Sequence, residues 1–134
     1  MRTKQEKFIE YLKEFIGSRY QWGGEGGFNN GFDCSGLILE GLKAFGLWGN
    51  TDASSQMIFD KFKTWVTTES VRPGDLVFYG KDLKSITHIS AVVDTEQVIE
   101  AGGGGKNTVD VGFVRLRPFG WRKDIVAVVR PNWN

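Results

Sequence analysis

The chain predicts an α+β fold, with N-terminal helices packed on a mostly antiparallel β-sheet. Two observations carry this. Apolar residues recur at helical spacing in the first half, and short runs rich in β-branched residues fill the second half. Helices first and strands afterwards, without alternation, argue against a parallel α/β sheet. No internal repeat, linker or low-complexity tail interrupts the sequence, so residues 1–134 are expected to form a single domain.

Each element has its own justification. Phe8, Ile9, Leu12, Phe15 and Ile16 predict an amphipathic helix over residues 4–16 that stops at Gly17. Residues 18–32 carry loop chemistry, although Tyr20 and Trp22 are bulky for filler. Asp33 suits an N-cap, SGLILEGLKAF supplies helical periodicity, and Gly46 suits the stop. A third helix is predicted over residues 53–63, capped by Asp52 or Thr51. The pattern then changes. RPGDLVFYG opens on a Pro-Gly turn and continues as a strand, followed by HISAVV, QVIEA, VDVGFVRL and DIVAVVR.

Composition sets outer bounds on function. A chain of 134 residues with 40% hydrophobic and 25% charged residues can bury a core without metals or disulfides. A net charge of +1 gives no general electrostatic reason to expect nucleic acid. The N-terminus, MRTKQEKFIEYLKEF, is charged from the start and lacks an apolar signal core, and no stretch approaches transmembrane length. Cytoplasmic synthesis without membrane insertion is therefore expected, with any extracellular work needing another route out.

One cysteine and one histidine stand out, because each occurs once. A single cysteine cannot form an internal disulfide. In GFDCSGL, Cys34 falls in the first turn of the second helix, where unpaired N–H groups favour a thiolate. The same N–H groups can receive a developing oxyanion. Most lone cysteines in cytosolic proteins are small buried hydrophobes. The flanking Asp, Ser and Gly, just after a glycine-rich loop, are not typical core surroundings.

His88 opens HISAVV, where alternation puts His88, Ser90 and Val92 on one face. If Asp94, Thr95 and Glu96 form a three-residue loop, Val92 pairs with Val98 and His88 lies diagonal to Glu100. A turn centred on Asp94 alone would put them directly opposite, and a two-residue turn would flip Glu100 to the other face. A carboxylate there would orient the ring and favour the imidazolium. A solvated edge-strand carboxylate and a half-buried strand histidine are the plainer readings. Metal ligation is weaker still, for the paired spacing of zinc sites is missing, and no cofactor is expected.

GSRYQWGGEGG, FDCSGL, RPGDLVFYG, THISAVV and VIEAGGG, in that order, resemble the NlpC/P60 cell-wall peptidases from about Gly17 to Gly103. The resemblance implies a papain-like core with Cys34 as nucleophile and His88 as general base. It also implies Tyr20 beside the nucleophile with its hydroxyl toward the oxyanion, and Asp33 and Ser35 at positions that recognise the free amine of a peptide stem. The third catalytic position, usually His, Asn or Gln, falls on Glu100. Trp22, Trp48 and Trp65 offer a substrate cleft, against the commoner role of aromatic residues in packing. A substrate-contacting Arg that precedes the Gln of the third helix in relatives is replaced by Thr51, which bears on the expected cleavage after γ-D-glutamate.

The resulting expectation is a cysteine peptidase that hydrolyses amide bonds in peptidoglycan stem peptides. The absence of a secretion signal and of a wall-binding module suggests a phage lysin or a tail-associated hydrolase with virion tail proteins as partners. Two rivals remain: an N-acetylmuramoyl-L-alanine amidase or acyl transferase on the same Cys-His pair, and a non-catalytic virion module.

Overall fold

A computed structural model of the chain describes residues 2–18, 33–102 and 113–134. Three helices precede the sheet: α1 (Lys4–Lys13), α2 (Cys34–Ala44) and α3 (Ser55–Phe62). A single 3-10 turn (Lys63–Trp65) leads into β1 (Val66–Thr67). The remaining strands are β2 (Leu76–Gly80), β3 (Ile86–Val92), β4 (Gln97–Gly102), β5 (Phe113–Pro118) and β6 (Ile125–Val129). They form one antiparallel sheet in the order β1-β6-β2-β3-β4-β5. The α+β expectation holds.

Local chemistry accounts for the helix limits. Thr3 and Glu6 form a reciprocal capping box at the start of α1, satisfying N–H groups that the first turn leaves open. The chain leaves α1 through turns that end at Gly17, where φ is +94°. α3 starts later than expected. Its cap is Ser54, whose hydroxyl accepts from the Met57 N–H at 3.2 Å, and not Asp52 or Thr51. Asp52 instead accepts from the adjacent Ala53 N–H at 2.9 Å, so a run of cap-competent residues is divided between two turns.

The main core lies between the helices and one sheet face. Phe8 and Leu12 of α1, Leu37, Ile38 and Leu42 of α2, and Ile58 of α3 meet Phe78, Ile89 and Ile99 there, all without exposed surface. Gly41 sets the approach of α1 to α2. A Cβ at that position would stand 2.5 Å from Cε1 of Phe8, so the helix accepts glycine's cost of about 1 kcal/mol in its interior.

The other sheet face holds a smaller cluster of Val77, Tyr79, Val92 and Val98, covered by Phe119 and Trp121. His88 and Glu100 belong to this second face by alternation along β3 and β4.

The Pro-Gly turn before β2 does more than reverse the chain. Asp75, 1% exposed, accepts from the Arg72 N–H and from Nε and Nη2 of Arg130, each bond within 3.0 Å. That ion pair ties the start of β2 to the end of β6, at the end of the two strands away from His88.

Candidate active site

α2 begins where the site begins. Asp33 is its N-cap, and Oδ1 accepts from the Gly36 N–H at 2.6 Å, which leaves Cys34 as the first helical residue. Ser35 is buried and its hydroxyl donates to Asp33 Oδ1 at 3.3 Å. The partly buried thiol of Cys34 reaches across to two other elements. Sγ lies 3.6 Å from Oγ of Ser55, at the head of α3, and 3.9 Å from the carbonyl oxygen of Thr87 on β3.

The hairpin register explains how His88 meets a carboxylate. Ala91 pairs with Ile99 and Val92 with Val98, the register expected for a loop of Asp94, Thr95 and Glu96. Asp94 Oδ1 pins that loop by accepting from the Glu96 and Gln97 N–H groups at 2.8 and 2.9 Å. Continued along the ladder, this register places Gly102 opposite His88 and Glu100 on the diagonal. His88 Nε2 donates to Glu100 Oε1 at 2.6 Å. A carboxylate can only accept, so the proton sits on Nε2 and Nδ1 is the ring nitrogen left to face the thiol.

Glu100 is not a solvated edge residue: it has no exposed surface, and β4 lies between β3 and β5. Its second oxygen, Oε2, lies 3.5 Å from Nε of Arg117 on β5. Gly102 makes room for the diagonal contact. A Cβ there would stand 3.1 Å from Glu100 Oε2 and 3.4 Å from His88 Cε1. Below the ring, Tyr79 packs at 5.2 Å between centroids, and its hydroxyl is bonded to Ser90 at 2.8 Å.

These contacts set the protonation states. Burial pushes the Cys34 thiol up, but a hydrogen bond and the charge of His88, with help from Ser55, outweigh it and bring the thiol below its ordinary value. Burial likewise pushes His88 down. Its hydrogen bonds and charge interactions with Cys34 and Glu100 outweigh that and raise it to about 9. The pair is thereby shifted toward thiolate and imidazolium, the form in which cysteine is nucleophilic. Tyr79 is pushed up to about 12, chiefly by burial, and stays a neutral hydroxyl.

Of the residues singled out from the sequence, Cys34, His88 and Glu100 are brought together, and Asp33 and Ser35 flank the thiol. Tyr20 and Trp22 lie outside the described residues. Trp48 and Trp65 pack on Phe62, at 6.1 and 5.7 Å between centroids. Thr51 accepts from the Trp48 indole N–H at 3.3 Å. Ser55 and Arg117 were not anticipated. A serine inside a run of helix-capping residues and an arginine on a strand carry no local signal of their partners. Among the described residues, no group of three or more His, Cys, Asp or Glu side chains could hold a metal ion. No helix among them is long and apolar enough to cross a membrane.

Comparison with known proteins bears on this arrangement. Over 127 residues, 93% of its length, the chain is 31% identical to gamma-D-glutamyl-L-lysine dipeptidyl-peptidase of Bacillus subtilis (strain 168), of which it spans 40%. Among solved structures it resembles NlpC2 of Trichomonas vaginalis, with a TM-score of 0.77 and 20% identity, covering 97% of this chain and 47% of that one. RipD of Mycobacterium tuberculosis, described as a non-catalytic NlpC/p60 domain protein adapted to peptidoglycan binding, superposes with a TM-score of 0.75 at 22% identity, covering 97% and 98% of the two chains. The model of the NlpC/P60 family matches residues 17–130, and to that family the chain belongs.

Proposed function

We propose that the chain is a cysteine peptidase that cleaves amide bonds in the stem peptides of peptidoglycan. The observation that carries this reading is that a helix-terminal thiol and an imidazole shift each other toward the charged form, while the same imidazole is bonded at 2.6 Å to the buried Glu100 carboxylate. The Cys34 thiolate attacks the scissile carbonyl carbon, and the N–H of Cys34 receives the oxyanion, to which the family resemblance adds the Tyr20 hydroxyl. His88 passes its proton to the leaving amine nitrogen as the C–N bond breaks, leaving a thioester on Sγ. Water then loses a proton to His88 and attacks the thioester, which releases the carboxylate product and the thiol.

Specificity follows from the flanks of the nucleophile. The Asp33 carboxylate and Ser35 hydroxyl are suited to a free amine on the substrate, and the Bacillus relative acts, by its name, at a γ-D-glutamyl-L-lysine linkage. A bond between γ-D-glutamate and a diamino acid is the proposed target, with Thr51 in place of an arginine altering how a substrate carboxylate is met.

Mass spectrometry of fragments released from peptidoglycan by the wild type and by Cys34→Ala tests this. New free α-amines on the diamino acid, absent with Cys34→Ala, are expected. Release of intact stem peptides would indicate an amidase instead, and binding without fragments would indicate a module that only recognises the wall.

A further inference from the structure

A glutamate in the third position creates a charge problem that a neutral His, Asn or Gln would not. On the reading proposed above, His88 becomes neutral once its proton passes to the leaving amine. Glu100 is then left as an anion with no exposed surface. A buried carboxylate without a cationic partner is strongly disfavoured.

The strand register supplies a second cation. Arg117 pairs with Val98 and therefore stands diagonal to Glu100 from β5, as His88 does from β3. The two oxygens are divided accordingly: Oε1 to His88 at 2.6 Å and Oε2 to Arg117 at 3.5 Å. The Arg117 guanidinium stacks over Trp121, 4.3 Å from the ring centroid, which holds it against the sheet. The remaining charged groups, Arg115, Arg122 and Asp124, have hydrogen-bond partners other than Glu100 and His88, although Asp124 feels the His88 charge and Nε of Arg115, opposite Glu100, is buried with no partner among the described residues. Arg115 on β5 donates to the Gly102 carbonyl at 3.1 Å, Arg122 and Asp124 pair with each other before β6, and Tyr79 on β2 is bonded to Ser90. From α2, Cys34 acts on the ring through a hydrogen bond and its charge.

We propose that Arg117 is a positioning residue for His88 that acts through Glu100, as the counter-ion that holds the carboxylate while the imidazole is neutral. An arginine fits this duty because its charge is permanent and its donors are held in a plane.

The single histidine makes the proposal directly measurable, since the Cε1–H resonance of labelled histidine belongs to His88 alone. In Cys34→Ala, which removes the thiol from the titration, Arg117→Met and Arg117→Gln are expected to raise the His88 midpoint by about half a pH unit or more. Losing the imidazolium would then strand Glu100. Arg117→Lys is expected to restore the midpoint. In a Cys34→Ala/Glu100→Gln background, Arg117→Gln is expected to leave it in place, because no buried charge needs a counter-ion.

An unchanged or lower midpoint in the neutral variants overturns the proposal, as does an equal shift in the Glu100→Gln background. If Arg117→Met does not fold, Arg117→Gln carries the measurement. The readout is a titration and not wall cleavage. A shift here, alongside no peptidoglycan hydrolysis by the wild type, would therefore sink the peptidase reading and leave the counter-ion role standing.

Discussion

His88 and Glu100 meet at 2.6 Å on the diagonal of the β3–β4 hairpin, with the carboxylate sealed from solvent. Substitutions at Glu100 should separate orientation from charge. Glu100→Gln keeps an acceptor for Nε2–H but removes the anion that favours the imidazolium. Peptide hydrolysis at neutral pH is expected to fall about tenfold or less, with the alkaline limb of the pH profile moving down. Glu100→Ala also removes the acceptor, and a loss of roughly a hundredfold is expected. Steady-state rates across pH check both. Equal losses in the two variants would mean that charge, not orientation, is what Glu100 supplies.

Gly102 should be less tolerant than its place at a strand end suggests. The added methyl of Gly102→Ala would crowd Glu100 Oε2 at 3.1 Å, so the carboxylate bonded to His88 must give by a few tenths of an ångström, while His88 Cε1 at 3.4 Å leaves the methyl no slack on the other side. Misplacement on that scale is expected to lower kcat about tenfold while the melting temperature barely changes. Kinetics beside a thermal melt decide the matter.

Asp33 combines two duties that substitution can pull apart. Its side chain caps α2, and its charge, close to Cys34, works against the thiolate. Asp33→Asn keeps a cap of similar strength and removes the opposing charge, so Cys34 should alkylate faster at acidic pH. The same variant should lose cleavage of stem peptides with a free amine if the carboxylate reads that amine. Asp33→Ala should in addition cost about 1 kcal/mol of stability. Iodoacetamide kinetics, peptide turnover and urea melts on the two variants make the comparison.

Much of the site was legible because its geometry is local. The Asp33 cap fixed the place of Cys34, and period-2 alternation with a three-residue loop, one of three turns the sequence allowed, put Glu100 on the diagonal from His88. What escaped notice depends on contacts between distant elements. Ser55 reaches the thiol only because the start of α3 meets the start of α2, and Arg117 reaches Glu100 only through the β4–β5 register. β1 has two residues and exists through its pairing with β6, so no periodicity announces it. Sequence spacing is blind to such encounters.

The Asp75–Arg130 pair predicts a stability effect distinct from catalysis. Asp75 is nearly fully buried, whereas Arg130 is partly exposed and keeps Glu69 at 2.7 Å. Asp75→Ala therefore leaves a guanidinium that water and Glu69 still partly satisfy. A loss of about 2–3 kcal/mol is expected, toward the low end for breaking a buried pair. The urea midpoint should fall without a change in slope. Residual activity measured well below that midpoint should stay near the wild-type level, because the pair lies away from the thiol.

The pH dependence of reactivity tests the coupling of Cys34 to His88. The thiol lies below its ordinary value, so thiolate forms as pH rises through that lowered value. The imidazolium persists until pH climbs through about 9, and above that both the proton donor and the charge that stabilises the thiolate are lost. Hydrolysis should accordingly follow a bell with its alkaline limb near pH 9, its two midpoints belonging to the pair and not to either residue alone. Alkylation of Cys34 should instead rise through the acid limb and stay high, because thiolate alone suffices. His88→Ala removes the largest influence that lowers the thiol and leaves burial, which raises it. In that variant, alkylation at pH 7 should slow by roughly tenfold or more, with its midpoint moved above that of an ordinary cysteine. An alkylation midpoint that stays in place in His88→Ala would show that the helix terminus alone activates the sulfur and that the histidine is a bystander to it.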